Sequence, residues 1–274
     1  MGIIGDIDES RAPLLDHLIE LRRRLLWCVV ALGIAFGVSF AFADDIFGIL
    51  VRPLTEAFPP GEGRLVYTKL YEAFFVEVKV ALFSAFFLSF PIIATQLWRF
   101  VAPGLYAREK RAFLPFLIAT PFLFFLGAAL AYFVVMPTAF HFFLGFQGET
   151  GGLKLEALPS TGDYLSLVMQ FILAFGIAFQ LPVLLMLLHR AGLVSRTQFA
   201  SWRRYMIVLA FVVAAIATPP DVISQLMLAV PLCLLYEVAL IGMWLSDRTR
   251  KKATGDADRL SEAAPEIRED GSAA

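Results

Sequence analysis

Apolar residues are gathered into six stretches that short polar segments separate. The stretches cover residues 25–43, 72–95, 113–140, 162–188, 205–217 and 222–245. A helix that crosses the hydrocarbon core of a bilayer needs about 20 mostly apolar residues, and five of the six stretches reach that length. The pattern predicts an all-α, polytopic integral membrane protein with six transmembrane helices, forming one domain over residues 1–245.

The fifth stretch, residues 205–217, is shorter than a normal span. Its 13 residues rise about 1.5 Å each, which gives roughly 20 Å against a hydrocarbon core of about 30 Å. Such a helix thins the bilayer locally or is shielded by its neighbours. Local thinning is a disadvantage for a carrier of small solutes and an advantage for a protein that moves large cargo.

Basic residues lie mainly on one side of the predicted spans. The chain is 59% hydrophobic and 17% charged, and 18 of its 23 Lys and Arg residues fall in segments on the side of the termini. The other five are Arg52, Arg64, Lys69, Lys79 and Lys154. Since cytoplasmic loops carry the excess of basic residues, both termini are predicted to lie in the cytoplasm.

The segments outside the spans have simple local patterns. Leucines at helical spacing before residue 25 predict an interfacial helix that runs into the first span. A secretory signal peptide is disfavoured there, because the basic cluster follows more than 20 polar residues. The segment from Pro159 to Asp163 is typical of a turn and helix cap that opens the fourth span. The polar tail, residues 246–274, is predicted to be disordered.

The sequence offers little for catalysis or for cofactor binding. Cys28 and Cys233 lie in apolar stretches, and we expect them to behave as small hydrophobic residues. His17, His141 and His189 are scattered, and no spacing typical of a metal site or a nucleotide-binding loop is present in the sequence. We therefore expect no metal, no cofactor, no nucleic-acid partner and no enzymatic activity.

Two polar residues lie at membrane depth. Gln180, inside the fourth stretch, either forms an interhelical hydrogen bond beside a proline kink or is a functional group that contacts protein or water. Glu237, in the sixth stretch, is either a site inside the bundle or a side chain that reaches the cytoplasmic surface. Glu72, Glu77 and Lys79 open the second stretch, where a structural cap is favoured over chemistry.

Glu20 and Glu109 are acidic residues on the basic side of the membrane, within a few positions of arginines. One interpretation is local charge balance by surface salt bridges, each worth less than about 1 kcal/mol. The other is a docking site for a cationic ligand, since two carboxylates can hold two guanidinium groups by bidentate hydrogen bonds.

Five collinear motifs resemble those of the TatC family, the core subunit of the twin-arginine protein translocase. The motifs are His17–Leu25, Glu72–Leu82, Phe100–Tyr106 with Glu109 to Arg111, Phe175–Pro182 and Thr218–Gln225. Each is weak alone, but they occur in order over about residues 12–245. This resemblance adds a fold expectation, a cup-like bundle of six helices.

The resemblance implies a receptor for the Arg-Arg signal peptide of folded cargo, in the bacterial cytoplasmic (inner) membrane. It implies that Glu20 and Glu109 contact the two arginines, that Arg22 and Phe100 contribute to this site, and that Pro53 matters for function. Thr218 and Gln225, beside Asp221, match a patch where single-span TatB- and TatA-type subunits dock. It further implies transport driven by the proton gradient, self-association in a multimeric complex and contact with membrane lipids.

Family members carry Glu or Gln at the position of Gln180, so a simple proton-titrating role is in doubt for this chain. Two other classes of protein remain as alternatives. A secondary transporter for a small solute needs a buried charged constellation and often has repeated halves, neither of which is evident. An intramembrane enzyme needs a nucleophile and a base at matched depth, and the sequence offers no persuasive pair.

Overall fold

The computed structural model of the chain describes residues 3–59, 63–105 and 114–262. The described residues fold into helices joined by short loops and one small β-hairpin. The helices are α1 (Ile3–Ala41), α2 (Ala43–Ala57), α3 (Glu72–Leu105), α4 (Leu114–Leu130), α5 (Met136–Leu144), α6 (Thr161–Ala178), α7 (Leu181–Arg190), α8 (Arg196–Ser201), α9 (Arg203–Ala217) and α10 (Val222–Glu262). A π-helical turn, Ala131–Val135, joins α4 to α5.

Five of the predicted spans correspond to helical segments that are long and apolar enough to cross a membrane. They are His17–Ala41, Glu72–Phe100, Pro115–Leu144, Thr161–Arg190 and Val222–Arg248. The fifth predicted span corresponds to α9, which has 15 residues and a length of about 22 Å. This helix is shorter than a bilayer core requires, so the count of six crossings stays a prediction.

The two ends of the helix bundle differ in structure. One end, which we call the hairpin face, carries α2, residues 63–71 and the antiparallel hairpin of β1 (Gly148–Thr150) and β2 (Leu153–Leu155). Gly151 and Gly152 make its two-residue turn with φ of 62° and 83°, values that favour glycine. The opposite end, the termini face, carries the first turns of the apolar part of α1, the α7–α8 connection and the start of α9.

Two glycines let α4 and α6 cross at close range. A Cβ atom on Gly127 would lie 2.8 Å from the ring of Phe179, and one on Gly176 would lie 2.6 Å from the ring of Phe124. Small residues at such crossings allow helices in membranes to pack closely. Phe124 is fully buried at this crossing, next to the main core, in which Phe171 and Phe175 are fully buried.

The N-terminal and C-terminal segments extend the first and last spans as continuous helix. Helix α1 begins at Ile3, in line with the expectation that the N-terminal segment runs straight into the first span. Helix α10 continues to Glu262, well into the segment 246–274 that the sequence predicts to be disordered. Residues 263–274 lie outside the described part of the chain.

Candidate functional site

The first turn of the α1 span lies against the end of α3 at the termini face. The rings of His17 and Phe100 stack with centroids 4.3 Å apart and an interplanar angle of 18°. Glu20 follows His17 by three residues on α1, so both side chains lie on neighbouring positions of one helix face. The structure therefore brings Phe100 beside the turn of α1 that carries Glu20.

Glu20 already holds a guanidinium group of its own chain. Both Nε and Nη2 of Arg24 donate to Oε1 of Glu20, with Nε at 3.0 Å. The two residues are spaced i, i+4 on α1. The side chain of Glu20 is 37% exposed and that of Arg24 is 19% exposed. This geometry shows that the Glu20 carboxylate is reachable and oriented for an arginine. Arg22, on another face of α1, is exposed.

Three of the four residues predicted to bind the signal peptide are placed by the structure: Glu20, Arg22 and Phe100. The fourth, Glu109, lies in residues 106–113, outside the described part of the chain. That Glu109 and Glu20 belong to one site therefore stays a prediction, which rests on the resemblance of the motifs alone.

Gln180 occupies the turn between α6 and α7 and is partly buried. Its Nε2 donates to the backbone carbonyl of Thr120 at 2.9 Å. The hydroxyl of Thr120 in turn accepts a hydrogen bond from Trp98 Nε1 at 2.7 Å. The connected side chains tie α3, α4 and the α6–α7 turn together. Neither Trp98 nor Thr120 was predicted as part of this network, because Trp98 lies beyond the predicted stretch 72–95 and its burial, which requires a partner for the indole N–H, is known only from the structure.

Thr218 and Gln225, the predicted docking residues, both hydrogen-bond to backbone carbonyls of α9. Thr218 is 5% exposed, and its hydroxyl donates to Ala214 at 2.8 Å. Gln225 is partly buried, and its Nε2 donates to Phe211 at 3.2 Å. The chain itself therefore supplies an acceptor for each of these donors.

Asp221 is an N-cap for α10. Its Oδ1 accepts from the backbone N–H of Ser224 at 2.7 Å, which satisfies a donor of the first turn. Its Oδ2 and the hydroxyl of Ser224 are buried and have no hydrogen-bond partner among the described residues. Asp221 thus has a clear structural role on the hairpin face.

Pro53 lies inside α2 and is buried, and two backbone carbonyls of α2 accept hydrogen bonds from tyrosines outside the helix. Proline has no N–H, so the carbonyl of Ile49 four residues earlier loses its helical partner. The hydroxyl of Tyr132 donates to that carbonyl at 2.6 Å, and Tyr164 donates to Leu50 at 2.7 Å. Tyr132 lies in the π-helical turn, so the proline and the π turn together fix α2 on the bundle.

Glu72 connects three segments of the hairpin face. Its Oε2 accepts from the backbone N–H and hydroxyl of Thr68, at 2.6 and 2.9 Å, and from Lys69 N–H. Its Oε1 accepts from the hydroxyl of Ser160 and from the N–H of Gly162, both at 2.7 Å. Glu72 is therefore a structural cap, in line with the sequence interpretation, and it also joins α3 to the start of α6.

Glu237 pairs with Arg203 at the termini-face end of α9. Arg203 Nη2 lies 2.9 Å from Glu237 Oε2, and the side chains are 55% and 45% exposed. Such a half-exposed pair agrees with the interpretation that Glu237 reaches the surface of the bundle. In the described ranges, charged residues do not form a buried constellation of the kind that a solute transporter uses.

Long apolar helices, exposed apolar side chains on their outer surfaces and polar contacts at both ends define a polytopic helical membrane protein. The chain matches the family model described as Sec-independent protein translocase protein (TatC) over residues 16–231. The chain therefore belongs to the TatC family, whose role is protein transport, as a component of a membrane translocase.

Relatives of this family resemble the chain over most of its length. The TatC protein of Magnetococcus marinus is 51% identical over 232 residues, which is 85% of this chain and 84% of that protein. The TatC protein of Escherichia coli K12 is 39% identical over 85% of this chain and 88% of its own length. A crystal structure described as the twin-arginine translocase receptor TatC has 43% identity and a TM-score of 0.72, covering 82% of this chain and 98% of that one.

Proposed function

We propose that this chain is the translocase subunit that binds the Arg-Arg signal peptide of folded cargo at the termini face. Glu20 and Glu109 hold the two guanidinium groups, Phe100 packs against the peptide, and Arg22 contributes to the same surface. The observation that carries the proposal is the Glu20–Arg24 pair, which lies one turn from the His17–Phe100 stack.

The Glu20–Arg24 pair supports guanidinium recognition in a direct way. Two nitrogens of one guanidinium approach a single oxygen of Glu20, and the carboxylate has a second oxygen for another donor. Because guanidinium is a planar fork with fixed donors, such a carboxylate favours Arg over Lys. The incoming peptide arginine either shares Glu20 with Arg24 or replaces it, and both require only a side-chain movement on α1.

The stacked pair of His17 and Phe100 supports the position of the site. Phe100 is partly buried and closes one side of the α1 turn that carries Glu20. A peptide that binds there contacts an aromatic surface and a carboxylate at the same time. An arginine side chain benefits from both, since its charge pairs with the acid and its plane stacks on rings.

The remaining parts of the proposal concern partners, energy and orientation. Single-span TatB- and TatA-type subunits dock near Thr218 and Gln225, copies of the chain associate in a multimeric complex, and the proton gradient drives transport. Both termini face the cytoplasm of a bacterial inner membrane. Gln225 is the better docking candidate, because Thr218 is buried and bonded within its own helix.

The test of the proposed function is binding of an Arg-Arg signal peptide to the purified full chain, compared with a Lys-Lys peptide. We expect the Arg-Arg peptide to bind more tightly, and Glu20→Gln and Phe100→Ala to weaken it. Glu149→Gln is a matched control, because it removes the same charge from the exposed β-hairpin at the opposite face. Equal affinities of both peptides for the wild-type chain would overturn the proposal.

The proposed orientation has its own test. A cysteine introduced at Thr150, in the β-hairpin, should react from outside the cell with an impermeant thiol reagent. A cysteine introduced at Arg108 should react only after the membrane is opened. The reversed labelling pattern would place the termini outside and overturn the orientation.

A further inference from the structure

A small cleft with charged residues in its wall separates α2 from the π-helical turn at the hairpin face. It has a volume of about 290 Å³, near the lower limit for pockets that hold small ligands. The hydrogen bond from the Tyr132 hydroxyl to the Ile49 carbonyl joins its two sides. The lining includes Ile49, Arg52, Pro53 and Glu56 of α2, and Tyr132 and Phe133 of the π-helical turn.

Arg52 and Glu56 carry opposite charges on one side of this cleft but do not pair with each other. Their i, i+4 spacing puts the Cβ atoms about 6 Å apart, a distance at which an ion pair normally forms. Both side chains are exposed, and among the residues that the structure describes neither belongs to an ion pair. Glu56 also lies in the last turn of α2, where the helix dipole disfavours a carboxylate. The two charges are therefore available to a ligand that carries both signs.

The cleft lies at the level of lipid headgroups. The first span ends at Ala41 and α2 follows at once, so α2 lies just beyond the hydrocarbon core. The segment Pro115–Leu144 has 30 residues and a length of about 45 Å, which exceeds a core of about 30 Å. Since Tyr132 is bonded to α2, the excess length extends past the core on the hairpin face. Phe133 is 73% exposed beside the cleft and offers an apolar surface to an acyl chain.

We propose that this cleft binds the headgroup of a phospholipid that carries a primary ammonium group, such as phosphatidylethanolamine. The phosphate contacts Arg52, the ammonium group donates to Glu56, and an acyl chain lies against Phe133. The phosphate and the ammonium group of this lipid are separated by two carbon atoms, a span that matches two side chains one helical turn apart. The cleft lies at the opposite face from the proposed signal-peptide site, and the proposal does not depend on that site.

Other ligands satisfy only one of the two charges. Phosphatidylglycerol and free phosphate are anionic, so they leave Glu56 without a donor and beside a negative charge. Phosphatidylcholine carries a quaternary ammonium group, which has no N–H to donate, whereas a primary ammonium group has three. A transmembrane helix of a partner packs mainly through small and apolar side chains, which would leave both charges unsatisfied. Because charge-assisted hydrogen bonds are the strong ones, the primary ammonium group decides the preference.

The test is native mass spectrometry of the full chain, released from detergent micelles that contain equal amounts of three lipids. The lipids are phosphatidylethanolamine, phosphatidylcholine and phosphatidylglycerol, with acyl chains of distinguishable mass. Lipid adducts of the wild-type chain are compared with those of Arg52→Gln and Glu56→Gln. Lys154→Gln and Glu149→Gln are the matched controls, because these exposed residues pair across the β-hairpin at the same face and do not line the cleft.

We expect the phosphatidylethanolamine adduct of the wild-type chain to exceed the phosphatidylcholine adduct about fivefold. Glu56→Gln should bring this ratio to about one, because it removes the charged acceptor of the ammonium group. Arg52→Gln should instead reduce the adducts of all three lipids, since all three share the phosphate that Arg52 contacts. Both control variants should keep the wild-type ratios.

Equal phosphatidylethanolamine and phosphatidylcholine adducts in the wild-type chain would overturn the proposal, as would the same loss of preference in Glu149→Gln as in Glu56→Gln. A phosphatidylglycerol adduct stronger than the phosphatidylethanolamine adduct would also overturn it, because the chain would then respond to negative charge alone. Displacement of the lipid by an equal concentration of water-soluble phosphoethanolamine would exclude a lipid as the ligand. Both cleft variants should bind the Arg-Arg peptide as the wild-type chain does, so the failure of either proposal leaves the other standing.

Discussion

Glu72 and Tyr164 at the hairpin face and Glu20 at the termini face make contacts of very different reach. At the hairpin face, Glu72 contacts Ser160 and Gly162, which are 88 and 90 residues away, and Tyr164 contacts Leu50 across 114 residues. At the termini face, Glu20 contacts Arg24, four residues along the same helix. Glu72 and Tyr164 therefore hold distant segments together, whereas the Glu20 pair constrains only α1.

This difference has a consequence for binding. A contact that joins distant segments cannot be exchanged for a ligand without loosening the fold. The Glu20–Arg24 pair can be exchanged, because a peptide arginine supplies the same guanidinium that Arg24 supplies now. We therefore expect substitutions at the hairpin face to change stability and those at Glu20 to change binding, and four predictions test that separation.

Glu72→Ala is expected to have the largest effect. It removes the acceptor of five hydrogen bonds and separates residues 63–71 from the start of α6. Thermal unfolding of the purified protein should occur at a clearly lower temperature, and protease cleavage in the hairpin-face loops should be several-fold faster. Glu77→Ala is the matched control on the same helix, since Glu77 is exposed and should tolerate the change. Unchanged protease resistance in Glu72→Ala would contradict the structural role.

Glu20→Ala is expected to lower the affinity for the Arg-Arg peptide about tenfold or more, because a charge-assisted contact is lost. Thermal unfolding should remain at the wild-type temperature. Glu109→Ala should abolish export of folded cargo while the protein still inserts. The double variant should be less than additive in peptide binding if both carboxylates hold one dipeptide. Strict additivity would mean that the two residues act at separate sites.

Tyr164→Phe is expected to destabilise the protein by about 1–3 kcal/mol, since it leaves the buried carbonyl of Leu50 without its donor. Tyr132→Phe should cost less, because its bond to Ile49 is exposed and water can replace it. The measurement is the free energy of unfolding of both variants under the same conditions. The opposite order would contradict the assignment of Tyr164 as the buried clamp of α2.

Gln180→Leu is expected to lower stability by only about 1 kcal/mol, from the loss of its bond to Thr120. Peptide binding should be unchanged, while assembly or transport should be impaired. Export assays in cells and peptide titration of the purified variant measure the two effects separately. If Gln180→Leu exports cargo at the wild-type level, the role of Gln180 is limited to an interhelical hydrogen bond.

Local features of the fold could be predicted from the sequence, and long-range partners could not. The cap predicted within residues 159–163 is confirmed, with Ser160 as the N-cap, because capping depends on residues within one helical turn. The bounds of α9 differ from the predicted 205–217 by two residues at one end. The capping role of Glu72 was foreseen, but its partners near residue 160 were not, because nothing in a local pattern states which loop lies opposite.

The candidate site shows the same division. The carboxylate at Glu20 and the aromatic residue at Phe100 were selected from motifs, whereas the stack of Phe100 on His17 needed the packing of α3 against α1. The sequence pattern did not predict the π-helical turn that places Tyr132 on Ile49, since π turns are rare single-turn insertions within α-helices. Likewise, the hydrogen bonds of Thr218 and Gln225 to α9 depend on how α9 and α10 meet.

The most direct test of signal-peptide binding at the termini face is site-specific photocrosslinking of an Arg-Arg signal peptide to the full chain. Photoreactive residues are placed at positions 20, 100 and 109, and at position 149 in the β-hairpin as a control. If these residues bind the signal peptide, strong crosslinks should form at positions 20, 100 and 109. An excess of unlabelled Arg-Arg peptide should remove them, and a Lys-Lys peptide should not. Crosslinks confined to position 149, or equal competition by both peptides, would contradict it.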